Sequence, residues 1–244
     1  MSKNFELLQR AGWGDEYLEG IPSPVHAAPR LVARQQTAPG STDQISTLVQ
    51  TLFQRNGGPH IRCVVFLGCT ESSSGTSVCA RTAQTLARQV DDRVCVVDVQ
   101  FEHPSIHRFF GAENVTGLRD AVSLSRRGDS FVKQVEQSNL WVLSAGDRGT
   151  ERRTAVSQRG LAERLMELRT DFPYVLIDAP PLSGRSELSA LGHVADGAVL
   201  VVNASGVSAD MADRGRARLR RANVRLLGMV LNQEGTLFPE SLHN

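Results

Sequence analysis

The sequence predicts an α/β fold in which a mainly parallel sheet is covered by helices on both faces. Six short runs are apolar at nearly every position, and amphipathic stretches separate them along the chain. Strands that are apolar on both sides need cover on both sides, and parallel neighbours need helical crossovers. Polar residues come directly after several of these runs, where ligands bind in sheets of this kind.

The elements alternate from about residue 41 onward. The predicted strands are Arg62–Leu67, Val94–Val99, Leu140–Leu143, Tyr174–Ile177, Gly197–Val202 and Leu226–Leu231. A first helix is expected from about Ser41, an N-cap residue, to about Phe53, with apolar residues at helical spacing. The other predicted helices are Ser77–Val90, Leu118–Leu124, Leu161–Leu168, Glu187–Leu191 and Ala209–Ala222.

The domain organisation is predicted from composition. Residues 21–42 are rich in Pro, Ala, Ser and Gln, which predicts a flexible linker. We therefore expect an N-terminal segment and linker over 1–42, one domain over 43–235 and a tail over 236–244. The segment over 1–20 contains Phe5, Leu7, Leu8, Trp13, Tyr17 and Leu18, so it could dock a partner or pack on its own domain.

The chain reads as cytoplasmic. It has no apolar run of 18 residues, and the polar N-terminus is not succeeded by an apolar stretch as in a signal peptide. Cys63 and Cys95 lie in strand-like runs, which suits buried thiols in a reducing compartment. The formal net charge of +1 indicates no particular class of partner.

A serine-rich turn between the first long strand and the next helix is a candidate phosphate loop. It runs from Leu67 to Ser77, where a Walker A loop belongs. Backbone amides, a helix N-terminus and hydroxyls favour an anion there, and the alternative is ordinary N-capping. The candidate nucleotide-binding residues in it are Ser72, Ser73, Ser74, Gly75, Thr76 and Ser77. The chain has only two lysines, Lys3 and Lys133, and neither can reach the loop, whereas a working loop holds a lysine against the phosphates.

Two carboxylates close apolar strands farther along. Asp98 ends one and Asp178 ends another in a Walker B pattern, which orients Mg²⁺ directly or through water. With the Thr76 hydroxyl they form the predicted Mg²⁺ site, and Asp98 is also the candidate catalytic residue. Asn232 ends the last strand and could pair with an adenine edge. The alternative for each aspartate is a strand-end residue capping the next turn.

In combination, these motifs resemble the bacterial tyrosine kinase family of capsule and exopolysaccharide assembly, a branch of the MinD/ParA-like P-loop ATPases. The resemblance covers roughly residues 43–232. The stretch from Asp98 to Gly111, with Asn114 and Gly117-Leu118, resembles the second Walker motif of the family and the stretch after it. The segments that resemble its Walker B region, the next strand and the adenine-side strand are Asp178 to Leu182, Ala195 to Val202 and Gly228 to Asn232. The resemblance implies a MinD/ParA-like P-loop fold, with ATP or ADP and Mg²⁺ as cofactors.

The site departs from the family pattern at three positions. One alignment of the first helix puts Gly75 at the Walker lysine and Thr76 at the Mg²⁺-binding hydroxyl, and the other puts Thr76 and Ser77 there. The lysine is absent in either register. Gln100 stands where the family has a second aspartate, and Glu102 where it has a basic residue.

Two further departures concern assembly and modification. The oligomerisation helix of the family carries a glutamate and two arginines, and the matching positions here are Asp43, Ser46 and Val49, so a homo-oligomer would lack the family's ring-forming contact. The family autophosphorylates a C-terminal tyrosine cluster, whereas this chain has only Tyr17 and Tyr174. Tyr174 is expected in a strand.

Three functions are consistent with these patterns. The first is a degenerate kinase-like protein, regulatory or structural, that works with a membrane-embedded polysaccharide chain-length regulator or export protein at the inner face of the cell membrane. The second is an active tyrosine autokinase or ATPase with a substitute cation, for which Arg81, Arg126 and Arg127 are candidates. The third, and least favoured, is a partition-type ATPase that binds DNA through an arginine-rich helix near residues 209–222.

Overall fold

The computed structural model describes residues 30–35, 41–54, 60–70, 75–147, 156–182, 188–203 and 209–232. Residues 30–35, 41–43 and 209–212 are described by their backbone alone. The strands are β1 (Arg30–Gln35), β2 (Cys63–Gly68), β3 (Val94–Asp98), β4 (Lys133–Gln134), β5 (Leu140–Leu143), β6 (Tyr174–Asp178), β7 (Gly197–Asn203) and β8 (Leu226–Asn232). The helices are α1 (Ser41–Phe53), α2 (Gly75–Gln89), α3 (Ile106–Phe109), α4 (Leu118–Ser123), α5 (Gln158–Asp171), α6 (Leu188–Gly192) and α7 (Ala209–Arg221), with a 3-10 turn at Gly128–Phe131.

The strands form one sheet in the order β1-β8-β7-β2-β6-β3-β5-β4. Every neighbouring pair in this sheet is parallel except β4 and β5, which are antiparallel. Because the long strands run the same way, their carboxyl ends meet at one edge. The predicted α/β fold with a mainly parallel sheet is confirmed.

Each face of the sheet carries its own core. Along β2, Cys63, Val65 and Leu67 point to one cluster, and Val64 and Phe66 point to the other. The first cluster is covered by leucines of α5, α6 and α7, and the second by apolar residues of α1 and α2. Burial on both sides of a strand is what a continuous apolar run predicts, and β2, β6 and β3 lie side by side at the centre of the sheet.

The sequence prediction was wrong over part of the linker. Residues 30–35 form β1, an edge strand that pairs in parallel with β8, from Arg30 opposite Gly228 to Gln35 opposite Asn232. The composition around it favoured a linker, but an edge strand needs only one hydrogen-bonding partner and no strong apolar pattern. The short β4 and the one-turn helix α3 were also not predicted.

Helix α1 bears on the oligomerisation contact that the resemblance raised. Val49 is fully buried in the core beneath the helix, and Ser46 is half-buried. Neither therefore presents an exposed charge at the positions where the family carries arginines.

The sequence expectation for the cysteines is met. All four cysteines are free and buried, as expected for Cys63 and Cys95, and burial raises the pKa of the Cys63 thiol to about 12. In α7, Gly215 and Leu219 are buried and the arginines from 214 to 221 are exposed. None of the helices in the described ranges is both long and apolar enough to cross a membrane.

Candidate functional site

The site lies where β2, β3 and β6 end side by side. Asp98 and Asp178 are cross-strand neighbours in the register of β3 and β6, and α2 begins at Gly75 behind the end of β2. A cavity of about 570 Å³ opens at this edge. It is lined by Gly68, Thr70, Gly75, Thr76, Gln100, Glu102, His103, Pro104, Ser105, His107, Arg108, Asn114, Ala179 and Pro181.

Asp98 anchors the loop that forms one wall of this cavity. Its Oδ1 accepts a hydrogen bond from the backbone N of Gln100 at 2.9 Å. Its Oδ2 accepts from the backbone N of Ser105 at 2.9 Å and of Ile106 at 3.1 Å. Both oxygens are therefore engaged by backbone donors, and the carboxylate is fully buried. These bonds fix the backbone path of residues 99–106, so Asp98 shapes the cavity wall that this loop forms.

Asp178 is bound differently, by side chains alone. Its Oδ2 accepts hydrogen bonds from the Thr76 hydroxyl at 2.9 Å and from Gln100 Nε2 at 2.8 Å. Gln100 Nε2 also donates to Thr76 Oγ1 at 2.6 Å, so the three side chains close a triangle. The other oxygen of Asp178, Oδ1, is buried and has no partner among the described residues.

The electrostatics of the two carboxylates reflect their burial. Burial raises the pKa of Asp98 to about 6, although the three backbone N–H groups act against that rise. Burial and then the charge of Asp98 hold the pKa of Asp178 well above its usual range, while hydrogen bonds from Thr76 and Gln100 lower it. In the described part of the chain no lysine or arginine forms an ion pair with either carboxylate, so neutral donors offset their charge.

Gly75 identifies the register of the loop. A Cβ at this position would lie 3.0 Å from Gly68 N and 3.3 Å from Leu67 C, both backbone atoms. Such close approach to the preceding strand is the reason for the glycine that precedes the lysine in the Walker A motif. We therefore place Thr76 at the lysine position and Ser77 at the hydroxyl position. Ser77 is buried and does not line the cavity, and Ser72, Ser73 and Ser74 lie outside the described residues.

Gln100 is the residue of the candidate site whose contacts the sequence did not reveal. The resemblance marked it as a glutamine where the family has an aspartate, which was the only available signal. Its contact with Asp178 joins positions 78 residues apart, and its contact with Thr76 joins positions 24 apart. Sequence spacing does not predict which of these groups meet.

The cations near the cavity are not the ones proposed from the sequence. Arg127 is bound to Asp129 and Asp171, and Arg126 lies over the ring of Phe131, so both are held away from the cavity. Arg81, the third candidate, does not line the cavity either. Lys133 in β4 is ion-paired with Glu113 at 2.9 Å.

Three other basic side chains do line the cavity. These are Arg108, which is exposed, and the histidines His103 and His107. Partial burial and then the charge of Arg108 lower the pKa of His107. The cavity wall therefore carries positive charge from Arg108 even without a lysine in the loop.

Asn232 lies at the same edge of the sheet but outside this cavity. It is buried at the end of β8, in register with Asn203 at the end of β7. Asn232 Oδ1 is buried without a hydrogen-bond partner among the described residues. Asn203 shares the strand-end pattern that singled out Asn232 but was not selected from the sequence. The adenine contact of Asn232 stays a prediction.

The residues supply the oxygen atoms that Mg²⁺ prefers, but not a place for the ion. Thr76 Oγ1 and both oxygens of Asp178 are of the right kind, and the orphaned Oδ1 of Asp178 would accept a cation. In this arrangement, however, Gln100 Nε2 directs its hydrogens at Thr76 Oγ1 and Asp178 Oδ2. The described residues also contain no cluster of three or more His, Cys, Asp or Glu side chains that could hold a metal. The present side-chain arrangement therefore does not fit a divalent ion.

Comparison with known proteins places this site in a family. The ParA family model, described as NUBPL iron-transfer P-loop NTPase, matches residues 72–244. The tyrosine-protein kinase YwqD of Bacillus subtilis is 25% identical over 158 residues, which are 65% of this chain and 67% of that kinase.

Solved structures show the same fold. The chimerical protein CapA2B2 superposes with a TM-score of 0.77 at 16% identity, over 94% of this chain and 98% of that one. The kinase domain of the Escherichia coli tyrosine kinase ETK gives a TM-score of 0.75 at 17% identity, over 90% of this chain and 99% of that one. The chain belongs to the ParA family of P-loop NTPases, and bacterial tyrosine-protein kinases are among its relatives.

Proposed function

We propose that this chain is a degenerate tyrosine-kinase-like P-loop protein of exopolysaccharide or capsule biosynthesis and export. Its role is regulatory or structural, with weak or no ATP-dependent phosphotransfer. It acts at the cytosolic side of a membrane-embedded chain-length regulator or export protein. The kinase relatives and the motif stretch from Asp98 to Leu118 support a role in exopolysaccharide or capsule biosynthesis.

One observation supports weak or absent catalysis: the neutral side chains of Thr76 and Gln100 are hydrogen-bonded to Asp178 at the place where the family carries a cation. Thr76 stands at the lysine position, and its hydroxyl is bound to Asp178 and to the amide of Gln100. Phosphoryl transfer depends on positive charge that neutralises the transferring group. Loss of one such cation reduces the rate by on the order of 10²–10³-fold or more.

Nucleotide binding is expected to be weak. A phosphate entering the cavity would meet backbone amides at Gly75 and the exposed guanidinium of Arg108, but no ammonium group among the residues that line it. The acidic Glu102 also lines the cavity, at the position where the family has a basic residue. ATP or ADP therefore remains a candidate ligand, held by fewer charges than in an active kinase.

Purified protein incubated with Mg²⁺ and ATP is expected to show no tyrosine autophosphorylation. YwqD of Bacillus subtilis, treated in the same way, is the positive control and should be readily labelled. Phosphotyrosine would be detected by radiolabel transfer and by mass spectrometry. Calorimetric titration with ATP and with ADP, each with Mg²⁺, should give weak binding that falls further in Asp178→Ala. Efficient labelling of any tyrosine in the wild-type chain would refute the proposal.

The second candidate function is an active autokinase or ATPase with a substitute cation, and the position of Arg108 favours it. Arg108 is the one arginine among the residues that line the cavity, and no ion pair is formed by it within the described residues. If any ATP turnover is measured, Arg108→Ala should reduce it by about tenfold or more, as expected for loss of a phosphate-contacting charge.

The matched control for this prediction is Arg159→Ala. Arg159 is an exposed arginine on α5, paired with Glu163 at 2.9 Å, and it does not line the cavity. Turnover equal in Arg108→Ala and Arg159→Ala would remove Arg108 from this role.

A further inference from the structure

Gln100 sits at the centre of the hydrogen bonds around Asp178. One nitrogen, Nε2, lies 2.6 Å from Thr76 Oγ1 and 2.8 Å from Asp178 Oδ2. A carboxamide NH₂ group has two hydrogens, so one is available for each oxygen. Both hydrogens of the amide are therefore used on Thr76 Oγ1 and Asp178 Oδ2, the two oxygens between which a cation could otherwise bind.

The orientation of this amide is fixed by its neighbours. Turning it over would bring Oε1 toward an oxygen of Asp178, which places an acceptor against an acceptor in a buried setting. The Thr76 hydroxyl already donates to Asp178 at 2.9 Å, so Thr76 Oγ1 has only acceptor capacity left for Gln100. The NH₂ end is thus the end that satisfies both partners.

The backbone holds Gln100 in this place independently of its side chain. The Gln100 N–H is bound to Asp98 Oδ1 at 2.9 Å, and Asp98 is anchored in turn by Ser105 and Ile106. The side chain therefore leaves a fixed point of the loop and reaches across to β6 and α2. A residue held in this way can block a site without any movement of the fold.

We propose that Gln100 is a specificity-determining residue that takes the place of a divalent cation between Thr76 and Asp178 and so keeps such cations out. The amide supplies partial positive charge to Asp178, as a cation would, but carries no net charge. A divalent ion must break both amide contacts before it can reach these oxygens. This inference deepens the proposed function, because a kinase-like site that does not take up Mg²⁺ lacks a second charge needed for phosphoryl transfer.

The test measures binding of Mn²⁺ alone, without nucleotide, by the loss of the free-ion electron paramagnetic resonance signal. Mn²⁺ prefers the same oxygen ligands as Mg²⁺. Gln100→Ala removes the amide, and Gln100→Met removes it while keeping an unbranched chain of similar length. Both variants are expected to bind Mn²⁺ about tenfold or more tightly than wild type, because the charge-assisted bonds to Asp178 no longer compete.

Two controls assign the effect to this site. Gln134→Ala removes another side-chain amide, which extends from β4 to donate to the Ser138 carbonyl, and should leave Mn²⁺ binding as in wild type. Adding Asp178→Asn to Gln100→Ala should abolish the gain. Circular dichroism of each variant checks that it is folded, and Gln100→Met stands in if the alanine variant is not.

The direction in which the Mn²⁺ affinity changes in the Gln100 variants tests the proposal. If Gln100 were instead a metal ligand through Oε1, both single variants would bind Mn²⁺ more weakly than wild type, and the proposal would be wrong. Unchanged affinity, or a gain that persists with Asp178→Asn, would equally overturn it. Because no nucleotide is present, these outcomes do not depend on whether the chain transfers phosphate, which the labelling experiment tests separately.

Discussion

Asp178→Asn is expected to stabilise the protein at pH 8, by about 1–2 kcal/mol in the free energy of unfolding. The change removes a negative charge that is fully buried beside a second carboxylate. An asparagine keeps an oxygen that can accept from Thr76 and Gln100, as Oδ2 does now. The gain is limited because the new NH₂ group would occupy the place of the orphaned Oδ1.

The same variant should also flatten the pH dependence of stability. Both carboxyl groups have pKa values raised on folding, that of Asp98 to about 6 and that of Asp178 well above its usual range. A raised carboxyl pKa means that the folded state holds its proton more tightly than the unfolded state. Stability is therefore lost as pH rises from about 4 through about 6, where folded Asp98 titrates, and the raised pKa of Asp178 adds a loss of the same sign.

Urea denaturation at pH 5, 6, 7 and 8 measures both effects. Wild type should lose stability across this series, and Asp178→Asn should lose less, so that the difference between the two proteins grows with pH. A variant that is less stable than wild type at pH 8 would show that the Asp178 carboxylate is compensated by a group other than Thr76 and Gln100.

Asp98→Ala is expected to destabilise the protein by about 4 kcal/mol at pH 7, since each buried backbone donor left unpaired costs roughly 1–3 kcal/mol. Three backbone N–H groups, those of Gln100, Ser105 and Ile106, end on its carboxylate. Backbone donors held by a loop cannot turn to another acceptor as side chains can. The loss should therefore exceed the desolvation that the substitution relieves.

Asp178→Ala is the matched control, because it deletes the neighbouring carboxylate on the adjacent strand without freeing a backbone donor. It should cost about 2 kcal/mol less than Asp98→Ala in the same urea titrations. Hydrogen exchange should also show loss of protection at Ser105 and Ile106 in Asp98→Ala alone. Equal losses in the two variants would mean that Asp98 does not anchor the loop.

The two aspartates therefore differ in role, although they look alike in sequence. Each closes an apolar strand, and each matches a nucleotide-binding motif of the family. Both oxygens of Asp98 accept hydrogen bonds from the backbone of the loop that comes after it. Asp178 accepts hydrogen bonds only from the side chains of Thr76 and Gln100, which a ligand could displace. Of the two predicted carboxylate ligands of Mg²⁺, Asp178 therefore remains the stronger candidate.

The local pattern of the sequence determined the architecture. Continuous apolar runs such as Val94–Asp98 and Tyr174–Asp178 indicate strands buried on both faces, and their alternation with amphipathic helices requires a parallel sheet. The same pattern placed Asp98, Asp178 and the loop before α2 at one edge of that sheet. These are effects of burial and periodicity, which act over a few residues and can be read directly from them.

The tertiary structure alone decided which groups meet at that edge. The Thr76 hydroxyl and Asp178 are 102 positions apart, and an amide at position 100 joins them through contacts of 2.6 and 2.8 Å. The tertiary structure alone also decided that β1 pairs with β8 and that Arg108 lies in the cavity wall. Hydrogen bonds and charges act over a few ångströms in space, so they depend on strand order and loop path, which the spacing of residues along the chain does not specify.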